Sequence, residues 1–74
     1  MAETEKTRDD EIALNIREAL RLDNDVPDGL IDVQVQDGIA TLEGTVESEL
    51  QKEIAEADTK KIKGVREVIN RIVL

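Results

Sequence analysis

The dipeptide Asp37-Gly38, set between two runs of alternating residues, constrains this chain more than any other feature of its sequence. A two-residue hairpin loop needs positive φ at its central positions, and Asp-Gly is among the few pairs that adopt it cheaply. Ahead of the loop, Ile31, Val33 and Val35 alternate with Asp32, Gln34 and Gln36. Behind it, a second strand is expected from Ile39 to about Val46. The two-residue period is that of half-buried strands. Loop length then dictates register: Gln36 opposite Ile39, Val35 opposite Ala40, Val33 opposite Leu42 and Ile31 opposite Gly44. That register gathers Ile31, Val33, Val35, Ala40, Leu42, Gly44 and Val46 on one face. Gln34 with Thr41, and Asp32 with Glu43, fall on the other, as solvent exposure demands.

A hairpin this short needs something to cover its apolar face, and both flanks offer a helix. Ile12, Ile16, Ala19 and Leu20 recur at i, i+4, i+7 and i+8, with Leu14 and Leu22 at the stripe's edges, which predicts a helix from about Asp9 to Leu22. Thr7 and Asp10 have the spacing of a capping box, and Met1–Lys6 have the composition of a tail. Asp23, Asn24, Asp25, Pro27, Asp28 and Gly29 are turn chemistry that ends the helix. Ser48 with Gln51 reads as a second capping box, followed by the stripe Leu50, Ile54, Ala57. Lys61 falls on that same stripe, so either its stem lies along the sheet edge or the helix stops near Lys60. Gly64 provides the helix exit, and Val65 leads into a last strand, Val68–Leu74. There Val68, Ile72 and Leu74 share a face around Asn70, with Ile69 and Val73 opposite.

The expected fold is therefore α+β, a single αββαβ domain over residues 9–74 behind a flexible tail at residues 1–8. Its three-stranded sheet carries both helices on one face and leaves the other wet. The second helix crosses back over the sheet, so the third strand should run parallel to the second.

Composition narrows the functions open to such a domain. There is no Cys and no His, which removes disulfide staples, thiol nucleophiles, imidazole bases and the usual zinc and haem ligands. There is no Phe, Tyr or Trp to stack a nucleobase, and the net charge of −8 repels a phosphate backbone. A non-catalytic chain without cofactor, metal, nucleic acid or small-molecule substrate is expected. No run approaches the ~20 apolar residues of a membrane span, and Met1–Asp10 lack a signal peptide's apolar run. A cytosolic chain, or one whose export signal is absent from this sequence, fits that observation.

The run Ile31-x-Val33-x-Val35-x-Asp37-Gly38-Ile39-Ala40-Thr41-Leu42-x-Gly44-Thr45-Val46 resembles the core signature of the BON domain, named for bacterial osmotically inducible and nodulation proteins. Ile62-x-Gly64-Val65-x-x-Val68-x-Asn70-x-Ile72 resembles that family's second block, and the leading helix with Ile12, Ile16 and Leu20 fits as well. The resemblance implies a non-catalytic module, proposed to bind phospholipid and often found in the bacterial envelope. It also implies structural roles for Gly38, Gly44 and Gly64. Members are typically exported, often paired or fused to other domains, whereas this chain shows one copy and no signal. The resemblance thus points to the periplasm or envelope, and the polar N-terminus to the cytoplasm.

Charge supplies the candidate ligand site. Residues 1–50 hold 4 basic against 14 acidic residues, and residues 51–74 hold 6 against 4. Lys60, Lys61, Lys63 and Arg66 cluster around the second helix's end, where they could dock anionic phospholipid headgroups. The same cations also suit a helix C-terminus, whose dipole favours positive charge. Asp23, Asn24, Asp25 and Asp28 lack the central glycine and closing Glu of a calcium loop and read as a helix stop. Asp32 and Glu43 are expected to face each other on the open side with no pocket around them, which argues against acid–base chemistry. Ile39, Ile69 and Val73 on the wet face form an alternative surface, for an envelope protein or for self-association there or through a strand edge.

Overall fold

The structure, a computed structural model, describes residues 2–26 and 31–74, with side chains from residue 8 onward. Its elements run α1 (Ala2–Leu22), β1 (Ile31–Gln36), β2 (Ile39–Thr45), α2 (Glu49–Lys60) and β3 (Glu67–Val73). The sheet order is β1-β2-β3, with β2 antiparallel to β1 and parallel to β3. The hairpin register is the one loop length dictated, from Gln36 opposite Ile39 to Ile31 opposite Gly44. Asp37 and Gly38 carry φ of 54° and 81°, as the two-residue loop requires.

Two helical readings need correction. α1 begins at Ala2 rather than near Asp9, so Thr7 lies inside the helix and not at its N-cap. Residues 2–8 contain no Gly or Pro and are mostly strong helix formers, so nothing in them halts propagation backward from the packed stripe. In α2, the buried residues are Ala55 and Thr59, whereas Leu50 and Ala57 are exposed and Ile54 is half-buried. Small side chains let this helix approach its neighbours closely. Thr59 tolerates full burial because its hydroxyl donates to the Ala55 carbonyl at 2.7 Å. The Ser48 cap holds: its hydroxyl accepts from Gln51 N at 3.2 Å, while Gln51 Oε1 accepts from Glu47 N at 2.7 Å. α2 ends at Lys60, and Lys61 is exposed.

The core is aliphatic throughout. Ile12, Ile16 and Leu20 of α1 meet Val33 of β1, Ala40 and Leu42 of β2, and Ile72 of β3, joined by Val26, Val46 and Ala55. Both sheet edges are occupied by side chains from the helical layer or the strand itself. On β1, Arg17 Nη2 donates to the Val33 carbonyl at 2.9 Å. On β3, Asn70 Oδ1 accepts from Ile72 N at 3.1 Å, while its Nδ2 donates to the Lys52 carbonyl at 3.1 Å and Glu56 Oε1 at 3.2 Å. Asn70 thereby ties α2 to the sheet edge. Of the turn residues expected after α1, Pro27, Asp28 and Gly29 lie outside the described residues.

Candidate functional site

The hairpin turn is gripped from two sides, and this grip builds one end of the molecule. Asp9 of α1 accepts from Asp37 N at 2.9 Å and from Gly38 N at 3.2 Å, so one carboxylate satisfies two successive turn amides. From the other side, Arg66 N donates to the Gly38 carbonyl at 2.7 Å. Gly64 lies against Ile12 of α1 with φ of 101°, and the stem of Arg66 lies over Gly38. The third family glycine, Gly44, sits between Ile31 and Ile72 in the sheet register.

Between α2 and β3 the chain alternates in a way that sorts its charges. Ile62 and Val65 are half-buried against the core, which turns Lys61, Lys63 and Arg66 outward. Ile62 N donates to the Thr59 carbonyl, and Val65 N to the Ile62 carbonyl, both at 3.2 Å, so the segment is a closed turn. The four cations nevertheless do not share one environment. Lys60 pairs with Glu56 at 3.0 Å. Hydrogen bonds from Lys60 and then Asn70 hold the Glu56 carboxyl below its usual range. Lys61 faces Asp23 and Asp58. Lys63 and Arg66 turn toward Arg8, which sequence reading had assigned to the tail. Arg8 and Arg66 line one cleft of about 320 Å³ beside Gly38, together with Asp9 and Asp37, and Arg8 and Lys63 line another of about 460 Å³ beside Gly64, together with Glu11. Among the described residues Arg8, Lys63 and Arg66 make no ion pair. The signal for Arg8 was its position one helical turn before Ile12, which carries it to the Gly64 end once α1 extends that far.

A second polar cluster joins the far ends of the two helices. Asp23, after α1, accepts from Asp25 N at 3.0 Å and shares a hydrogen bond with Asp58 of α2. Burial, then the neighbouring Asp23, push the Asp58 carboxyl up to about 6. The bond from Asp58, then the Asp25 amide, pull Asp23 below its ordinary value. Asp58 Oδ2 is buried without a partner unless the pair carries a proton. Among the described residues no three acidic groups converge to hold a metal ion. The two carboxyls titrate as a unit. Asp58's contribution to stability is fully present below its ordinary value of 3.8 and is lost as pH rises through about 6. Asp23's contribution runs the other way, present above 3.8 and lost as pH falls. Asp58→Asn replaces the shared proton with an amide donor. Its urea midpoint should therefore gain on the parent as pH rises through about 6 and converge with it in acid. Parallel pH profiles for the two chains would refute the shared proton.

On the open sheet face the register makes rows. Gln36, Ile39 and Glu67 form one row, Gln34, Thr41 and Ile69 the next, then Asp32, Glu43 and Arg71. Ile39 and Ile69 are therefore close, whereas Arg71 separates Ile69 from Val73, so the three apolar residues do not make one patch. No helix among the described residues is long and apolar enough to cross a membrane.

No curated protein matches this chain. The family model described as the BON domain matches residues 8–74, from Arg8 in α1 through β3. That span takes in α1 from Arg8 onward, all of α2, all three strands and the clamped hairpin, and the chain belongs to the BON domain family.

Proposed function

We propose that this BON domain binds anionic phospholipid surfaces through the end formed by Arg8, Lys63 and Arg66. BON domains are in general non-catalytic binding modules, which supports a binding role for this chain. The observation that supports the lipid reading is the meeting of Arg8, Lys63 and Arg66, from opposite halves of a chain whose net charge is −8, at clefts that also hold Asp9, Glu11 and Asp37. Arg8 comes from the acidic half and is brought beside Lys63 and Arg66 by the packing of Ile12 against Gly64. Lys60 and Lys61 extend this basic segment but are partly neutralised by Glu56 and by the Asp23–Asp58 pair.

Each basic residue near an anionic membrane contributes roughly 1 kcal/mol, and the attraction falls off within a Debye length. The affinity should be modest and sensitive to salt. The test is co-sedimentation with vesicles of anionic or zwitterionic lipid at low and high salt. Binding is expected only to anionic vesicles and should fade with salt. Reversing Arg8, Lys63 and Arg66 together to Glu should weaken it at least about a hundredfold. Reversing Lys60 and Lys61 instead should have the smaller effect. Wild-type binding by the triple variant, with its fold verified by circular dichroism, would refute this assignment.

A further inference from the structure

We infer that the open sheet face is a second docking surface, and that its partner is a basic protein segment with small apolar side chains between its charges. Both helices lie on the other side, leaving Ile39, Thr41 and Ile69 around a shallow groove of about 340 Å³. Ile69 is 37% exposed there. Around the groove stand Asp32, Asp37, Glu43 and Glu67, opposed among the described residues of this face only by Arg71. An anionic membrane would be repelled by such a rim, whereas Lys and Arg of a partner would be steered toward it. A second copy of the chain fits less well. Each copy carries −8, and the face would set its own excess of carboxylates against the same excess.

The edges point the same way. A strand added to β1 would have to displace Arg17 from the Val33 carbonyl. One added to β3 would have to displace Asn70 from Ile72 N and from α2. The contact is therefore made by side chains on the face rather than by sheet extension. Asp37 borders both this groove and the Arg8–Arg66 cleft, but Glu43 and Ile69, on which the test turns, lie away from that end, so the peptide result is read independently of the vesicle result.

The probe is a short synthetic peptide alternating Lys with Val, titrated into the isotope-labelled full chain and followed by amide shifts. Shifts should centre on Thr41, Glu43, Ile69 and Arg71, and a peptide with Glu in place of Lys should give none. Glu43→Lys, an exposed substitution, should weaken the Lys–Val peptide about tenfold. Shifts centred on Asp10 and Glu11, or on Glu47 to Glu53, would show general attraction to an acidic protein and overturn the inference. So would unchanged affinity in Glu43→Lys. A dimer seen by sedimentation and dissolved by Ile69→Asp would overturn it in favour of self-association.

Discussion

Leu42→Ala is expected to cost about 3–5 kcal/mol, measured as the shift of the urea transition followed by far-ultraviolet circular dichroism. Leu42 is fully buried on the central strand, flanked by Val33 on β1 and Asn70 on β3 and covered by the helices. Truncating it removes apolar contact and leaves a cavity, because neighbours on three elements cannot collapse together. Domains of this size are typically stable by on the order of 4–11 kcal/mol, so the variant forfeits a large share of its folding free energy. With no aromatic residue in the chain, there is no larger side chain to move into the space. Leu50→Ala is the control, since Leu50 is 63% exposed on α2 and should shift stability by less than about 0.5 kcal/mol. Similar losses at both positions would mean that α2 buries the Leu50 face after all.

Gly64→Ala is expected to destabilise by about 2–4 kcal/mol, against about 1–2 kcal/mol for Gly38→Ala. Both glycines hold positive φ, 101° and 81°, which an L side chain adopts only under strain. They differ in what a Cβ would meet. At Gly64 it would lie 2.6 Å from Cδ1 of Ile12, a buried core residue with little room to retreat. At Gly38 it would meet the exposed stem of Arg66 at 2.9 Å, which can swing aside, and the Gly64 carbonyl at 3.0 Å. Gly64→Ala should also displace Arg8 relative to Lys63, because the Ile12–Gly64 contact sets the spacing of α1 from the turn. A smaller loss at Gly64 than at Gly38, in the same urea experiment, would contradict this packing.

The proposed lipid-binding surface was half legible. Lys63 and Arg66 could be found from charge clustering and from Ile62 and Val65 between them, since local alternation settles which residues turn outward. Arg8 could not, because it stands fifty-five residues from Lys63 in the acidic half and meets it only through the docking of α1. Asp9 marked only the approximate start of the expected helix, a local role. Its actual partners are the Asp37 and Gly38 amides across the fold.

What the sequence determined by itself was what depends on neighbours a few positions apart. The Asp37-Gly38 loop and the alternation around it specify the hairpin register, because a slip of one residue would turn every apolar side chain to water. The Ser48 cap and the parallel third strand followed from equally local chemistry and from the handedness of crossover connections. Tertiary structure decided which face α2 buries and how Asn70 closes the β3 edge. It also decided which cations meet. A weak apolar stripe such as Leu50, Ile54, Ala57 does not specify a helix's rotation. Close approach through Ala55, and a threonine whose hydroxyl is satisfied within its own helix, outweighed hydropathy once the sheet and α1 were in place.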